Sequence, residues 1–365
     1  MTTWALTPAT PLTATVPFLG GVCIPQGNLF AYLSDGGNNN TFQYQRNIGT
    51  GILTALSPAS VANPGGPVET IASPDGGFIY VISGGNNNIA QYSRNVTTGL
   101  LTPLSPATIV TNTTFGSTGL VMSPDGTSLY TLQSFSSSNI LQYSRNISTG
   151  LLTALSPATV SLGSGYVNAL AISPDGLFVY VVNYGGRIIT ILSRNTSTGA
   201  LTIASSMTIS TGNLPTDIII SPDGAYAYTP VATSNLVLQH RRDIGTGGLT
   251  LLSPQYVNNI DVPGKITITT DGGAAYVSNT NSDSVSQYTR SNSTGLLTPL
   301  SPTTLTTNAS PTFLSLSLDN AYLYVTTSAG IDIFYTNPPP LAPAPAPAPA
   351  TLFWTAFISA FETDY

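Results

Sequence analysis

The tetrapeptide Ser-Pro-Asp-Gly returns along most of this chain at a nearly fixed step. Its aspartate falls at Asp75, Asp125, Asp175 and Asp223, and worn copies place Asp271 in Thr-Thr-Asp-Gly and Asp319 in Ser-Leu-Asp-Asn. The steps are 50, 50, 48, 48 and 48 residues, and one period earlier Ile24-Pro25-Gln26-Gly27 supplies a first copy, making seven. Self-similarity of this kind restricts the chain to an array of one supersecondary unit, because each unit buries its apolar face only against a neighbour.

Every copy has the same internal order. A short apolar run such as Ala169-Leu170-Ala171-Ile172 leads into the Pro-Asp-Gly turn, and a Tyr-Val run such as Phe178-Val179-Tyr180-Val181-Val182 follows it. Next come a Gly/Asn/Ser loop, a segment ending Gln-Tyr-Ser-Arg-Asn (91–95, 142–146), and Thr-Gly-Leu-Leu-Thr-Pro-Leu-Ser-Pro (98–106). β-Branched and aromatic runs bounded by Gly, Pro and Asn are strands, and four strands per period of this length describe a propeller blade. In the turn, Pro presets φ, Asp bonds the backbone and Gly takes the strained last place.

The two ends of the array distinguish a closed ring from an open solenoid. Ala5-Leu6-Thr7-Pro8-Ala9-Thr10-Pro11 aligns with Leu100 to Pro106, the fourth strand of a blade, whereas the seventh copy stops after its third strand at Gly330 to Tyr335. Trp4 to Pro11 should therefore lie beside Ile331 to Tyr335 and complete blade seven, removing two open sheet edges. The expected fold class is all-β, a seven-bladed β-propeller over residues 1–337. It is followed by a Pro/Ala-rich tether at 338–350 and an aromatic segment at 351–365.

Charge is scarce and oddly regular. Only 7% of residues are charged, with 9 Lys+Arg against 15 Asp+Glu and a net charge of −6. A chain so poor in cations has no basic surface for nucleic acid. One cysteine, Cys23, and one histidine, His240, leave no Cys-based zinc site or His-rich metal site; no metal or cofactor is expected. Six copies carry the turn Asp, with Gln26 in the first, and six carry an Arg (Arg46, Arg94, Arg145, Arg194, Arg242, Arg290), with Thr336 in the seventh. If each Arg met the Asp of the following blade, as 46–75 through 290–319, none would be left over. Such a belt would lie on the bottom face, where both kinds of turn belong.

Ser-Pro-Asp-Gly, the following Tyr-Val (Tyr80-Val81, Tyr180-Val181, Tyr276-Val277) and Gln-Tyr-Ser-Arg-Asn resemble the repeats of the lactonase-type seven-bladed propellers. The resemblance spans residues 4 to about 337. That group holds 6-phosphogluconolactonase-like and carboxymuconate-cyclase-like enzymes together with many non-enzymatic surface proteins, so the resemblance implies the fold and leaves activity open. Its enzymes are expected to place His, Arg and Glu residues at one channel mouth. Here His240 takes a third-strand slot filled by Tyr44, Tyr92, Tyr143 and Tyr288 in other copies, away from the channel, and reads as structural.

One aligned set bears on chemistry. Six residues before each turn position the copies read Gly20, Glu69, Gly119, Ala169, Asp217, Lys265 and Phe313. Two carboxylates and a lysine at one height near the top mouth suit acid–base work or an oxygen-ligated cation. The plainer reading is an Asp217–Lys265 ion pair between blades with a solvated Glu69. Spaced Asp-x-Asp-x-Asp calcium loops are missing from the sequence.

Copies agree at the bottom turns and diverge in the top loops, which suits a glycan or protein ligand there. Sequons stand at Asn39, Asn95, Asn112, Asn146, Asn195, Asn292 and Asn308, though a chain rich in Asn, Ser and Thr makes them by chance. After Asn337, Pro338 to Ala350 reads as a polyproline II spacer. Beyond it, Phe353, Trp354, Phe357, Ile358 and Phe361 form an amphipathic helical stripe. Docking of this stripe on neighbouring protein subunits is the first reading, ahead of insertion at a membrane interface. No run is long enough for a transmembrane span.

The charge-poor polar surface, the dedicated anchor and the lack of a recognisable catalytic constellation together lead to the expectation of a non-enzymatic protein. It would be a structural or decorating subunit of an external assembly such as a virion, surface layer or filament, and the start of the chain, without signal-peptide features, favours the virion. The alternatives are a lactonase-like hydrolase working through Glu69, Asp217 and Lys265, and a glycan- or peptide-binding adhesin.

Overall fold

A computed structural model describes residues 5–9, 19–111, 117–133, 138–163, 165–210, 214–258 and 260–336. They form seven four-stranded antiparallel sheets. Blade 1 comprises Leu19–Cys23, Phe30–Asp35, Asn40–Arg46 and Leu53–Ala62, and blade 2 comprises Pro67–Ala72, Phe78–Ser83, Asn88–Arg94 and Leu101–Val110. Blades 3 to 6 repeat this plan, and blade 7 is built from Pro311–Leu316, Tyr322–Thr327, Gly330–Tyr335 and, from the other end of the chain, Thr7–Pro8. Neighbouring sheets pack face to face. Ala169, Tyr180 and Ile189 of blade 4, for example, share a core with Ile218, Ala227 and Leu238 of blade 5.

The ring closes as the repeat register requires. Thr7 pairs with Tyr335 and Pro8 with Phe334, and the Ala9 N–H donates to Ile333 O at 2.8 Å. A side chain also crosses this seam. In five blades a third-strand glutamine accepts an N–H from the fourth strand of the next blade, as Gln43 Oε1 does from Leu101 at 2.6 Å. The fifth case is Gln287 of blade 6, which accepts the Leu6 N–H at 2.7 Å.

The bottom turns follow from their sequence. In blade 2 the Gly76 N–H donates to Ser73 O at 2.8 Å, Gly76 sits at φ +68°, and Asp75 Oδ1 accepts both the Gly77 N–H and the Ser73 hydroxyl. That leaves Asp75 Oδ2 to face the adjacent blade.

The ionic belt exists but runs in the opposite direction to the one expected from the sequence. Arg145 binds Asp75 at 2.7 Å, Arg194 binds Asp125 at 2.9 Å, Arg242 binds Asp175 at 2.7 Å, Arg290 binds Asp223 at 2.6 Å and Arg46 binds Asp319 at 3.1 Å. Each arginine thus reaches back to the preceding blade. The cause lies in what else holds the guanidinium. Arg145 Nη1 donates to Gly126 O of its own turn, its Nε donates to the Tyr80 hydroxyl of the preceding blade, and its plane lies 4.8 Å from the Phe78 ring of that blade. Tyr80 passes the link on, donating to Gly150 O. The leftovers are accordingly Arg94, opposite Gln26, and Asp271, opposite Thr336; neither forms an ion pair among the described residues.

Candidate functional site

At the top of the channel the innermost strands are irregular. The register slips between Pro67 and Glu69 in blade 2, Thr118 and Leu120 in blade 3, Pro263 and Ile266 in blade 6, and Pro311 and Phe313 in blade 7. A bulge withdraws a backbone N–H from the ladder and redirects a side chain. Two carboxylates collect N–H groups released in this way. Glu69 of blade 2 accepts from Leu120 of blade 3. Asp217 of blade 5, carried on the stretch between the Pro215 bridge and the Ile219–Ile220 strand, accepts from Ile266 of blade 6 at 3.1 Å. The same bond is made twice, from equivalent positions of two blades.

Their further surroundings differ. Asp217 Oδ1 also meets Lys265 Nζ at 3.5 Å, and the ammonium lies 5.8 Å from the Phe313 ring of blade 7. Desolvation opposes the charge on Lys265, but Asp217 and then Glu69 outweigh it and hold the group above the ordinary lysine range. Among the described residues no cation stands in contact with Glu69. Desolvation pushes its carboxyl up to about 7; Lys265 pulls it down, Asp217 pushes it up again and the Leu120 N–H lowers it. The three residues named from the sequence therefore share one electrostatic field across the channel. The expected Asp217–Lys265 pair is present, and Glu69 is half-buried and coupled to it rather than simply solvated.

The remaining positions at this height make room. A Cβ added to Gly20 would lie 2.0 Å from Val68 O, so those two backbones approach too closely for any side chain, and Gly119 sits at φ +73°, where a side chain is strained. Phe313 leans toward blade 1, its ring 3.3 Å from where a Cβ on Gly21 would stand. Beside it opens a cleft of about 670 Å³ whose wall is mainly apolar, lined by Phe313 of blade 7, by Pro67 and Val68 of blade 2 and by Gly20, Gly36 and Gly37 of blade 1. Thr312, Thr327 and Ser328 supply its polar rim. Sequence alignment of the copies could not show this cleft, because it forms where top loops of blades 7, 1 and 2 converge. The aligned Phe313 was its one sequence signal.

Other candidates separate from the mouth. His240 is fully buried in its third-strand slot, and desolvation lowers it to about 4. Cys23 is buried and burial raises its thiol to about 12. Among the described residues no group of three or more His, Cys, Asp or Glu side chains comes together as a metal site needs, and no helix is long and apolar enough to cross a membrane. The tether and the aromatic stripe of Phe353, Trp354, Phe357, Ile358 and Phe361 lie outside the described residues.

The sequence matches the lactonase seven-bladed β-propeller family over residues 23–210 and 202–310. The chain belongs to this family. No curated protein matches it. Among solved structures it is similar to a proposed 6-phosphogluconolactonase of Bacteroides fragilis, at 20% identity and a TM-score of 0.66 over 79% of this chain and 84% of that one. The periplasmic gluconolactonase of Pseudomonas aeruginosa is matched at 16% identity and a TM-score of 0.67 over 81% and 87%. Hydrazine synthase of Kuenenia stuttgartiensis is matched at 15% and 0.65 over 89% and 97%. At such identities the likeness shows the fold alone. Family membership nevertheless points to a hydrolase and overturns the expectation of a non-enzymatic protein. That expectation rested on the charge-poor polar surface, the C-terminal anchor and the lack of a recognisable catalytic constellation. It underrated the Glu69–Asp217–Lys265 group because no repeat motif marks it.

Proposed function

We propose that the protein is a lactone hydrolase acting at the top mouth of the channel, with Glu69 as general base, Lys265 as electrophile and Asp217 as the residue that positions Lys265. The observation that carries this reading is the Asp217–Lys265 pair standing in one field with a carboxyl that has no cation in contact. A base works best with a pKa near the operating pH, and Glu69 at about 7 meets that condition. A fixed ammonium stabilises the oxyanion that develops on an attacked carbonyl.

The step balances simply. Glu69 takes a proton from water as the water oxygen bonds to the lactone carbonyl carbon, and Lys265 faces the oxygen that becomes negative. Collapse breaks the ring C–O bond, and the proton held by Glu69 passes to the departing alkoxide. The product is an open-chain hydroxy acid.

The test is acid release from δ-lactones followed with a pH indicator. Wild-type protein should hydrolyse at least one lactone, and Glu69→Gln should lower kcat by about 10²–10⁴ with the fold intact by circular dichroism. A Glu69→Gln protein as active as wild type would remove Glu69 from the chemistry.

A further inference from the structure

The nine basic residues of this chain can all be located, because none lies outside the described residues. Arg46, Arg94, Arg145, Arg194, Arg242 and Arg290 are buried at the bottom turns. Arg241 is exposed on a bottom edge of blade 5, beside Asp243 in a polar hollow. Arg187 is exposed on a top turn of blade 4, a blade that does not border the cleft. Only Lys265 reaches the mouth, and there it faces two carboxylates.

The cleft itself adds no positive charge. The turn that carries Gly36 and Gly37 is folded around Asp35, whose Oδ1 accepts the N–H of Gly37 at 3.0 Å and whose Oδ2 accepts from Asn38 Nδ2 at 2.7 Å. Two of the rim hydroxyls are already engaged, Thr312 with Thr326 O and Thr327 with Gly330 O. A phosphate brings between one and two negative charges near pH 7 and calls for arginine forks or clustered N–H donors. Here it would meet a net negative mouth and a wall of Val68, Pro67 and Phe313.

Resting on the hydrolase reading, we infer that the substrate is an uncharged lactone bearing an apolar, ring-sized substituent, which fills the cleft between Val68 and Phe313 while its carbonyl faces Lys265. Charge disfavours phosphorylated sugar lactones, and the mainly apolar wall disfavours free sugar lactones, whose hydroxyls would find only the rim of Thr312, Thr327 and Ser328. A site that offers an apolar wall to a polyol leaves the polyol's hydroxyls without the bonds they had in water.

Three substrates separate the outcomes: dihydrocoumarin, glucono-δ-lactone and its 6-phosphate. Wild-type kcat/KM should be about tenfold or more higher for dihydrocoumarin than for either sugar lactone. Phe313→Ala should lower kcat/KM for dihydrocoumarin about fivefold or more; Val68→Ser should act in the same direction, guarding against a fold defect in either variant. Preference for the phosphorylated lactone, with Glu69→Gln still inactive, would overturn the substrate class and leave the hydrolase reading standing. If wild type hydrolyses none of the three, the hydrolase reading falls. Binding of coumarin and 6-phosphogluconate to Glu69→Gln then decides the cleft on its own: tighter coumarin supports it, equal or reversed affinities overturn it.

Discussion

Arg46 of blade 1 grips Asp319 of blade 7 at 3.1 Å, joining the two blades across the ring closure. The same guanidinium lies 5.0 Å from the Tyr322 ring, donates from Nε to the Tyr324 hydroxyl at 2.9 Å and from Nη1 to Asn28 O. Its side chain is wholly buried whereas that of Asp319 is 36% exposed. The two partners should therefore matter unequally. Arg46→Met is expected to destabilise by about 3–5 kcal/mol, since it removes several bonds from a buried site. Asp319→Asn should lose about 1 kcal/mol or less, because water screens the carboxylate. Urea unfolding of the two variants checks the order; equal losses would contradict it.

Arg94 is the belt arginine that faces Gln26 instead of an acid. It keeps the Tyr32 hydroxyl at 3.0 Å, Gly76 O at 2.7 Å and the Phe30 ring at 5.2 Å. Gln26→Asp places a carboxylate where Asp75 stands relative to Arg145. The variant is expected to gain about 0.5–1 kcal/mol, lost again in 1 M salt. A melting temperature unchanged or lowered at low salt would argue against the equivalence.

The pH dependence of activity should follow Glu69. Its rate limb is expected near 7, with activity rising as the carboxyl ionises. Lys265 pulls this group down and Asp217 pushes it up. Lys265→Met should therefore move the limb to higher pH, and an NMR titration of the Glu69 carboxyl reports the same shift independently of turnover. Stability carries the linked sign. A carboxyl raised in the folded state contributes stability fully present below about 4.5 and lost as pH rises through about 7. Glu69→Gln should gain relative to wild type over that window, by at most about 3 kcal/mol, less where the mouth is wet.

His240 carries the opposite sign. Burial lowers it to about 4, so the stability linked to its neutral form is present above the unfolded value of about 6.5 and lost as pH falls through about 4. His240→Tyr installs the residue that fills the slot in blades 1, 2, 3 and 6. It should flatten the loss between those limits by about 1–3 kcal/mol. The belt carboxylates add no loss there. Desolvation would raise Asp125, but its bonds to Ser123, Thr127 and Arg194 outweigh that and bring it to about 2. Its contribution, present above about 4, is lost only as pH falls through that low value. Parallel denaturation curves for wild type and His240→Tyr from pH 7 to 4 would contradict this assignment.

The blades, their turns and the split seventh sheet were legible in the sequence because the same local chemistry is written repeatedly and only one arrangement uses both ends. The direction of the belt was also written there, in a place the charges alone do not reveal. The residue that opens the second strand is Phe30, Phe78, Phe178, Tyr226 or Tyr322 where the next blade carries an Arg, and Ala274 where the next blade carries Thr336. Counting charges favoured the wrong neighbour; following the aromatic rings gives the right one, with Ser128 as the exception, its hydroxyl accepting from Arg194 at 3.0 Å. The mouth was harder to read. Glu69, Asp217 and Lys265 aligned by position, but their coupling depends on bulges and on the width of the channel. The cleft beside them depends on loops with no common pattern.

The reacting groups proposed here stand on blades 2, 5 and 6, and the apolar wall on blades 7, 1 and 2, with both ends of the described chain woven into blade 7. No single repeat, and no partial run of them, holds the whole pocket. Turnover would thus serve as a gauge of completed assembly: a nascent, clipped or misregistered chain is silent until its last sheet accepts its first strand.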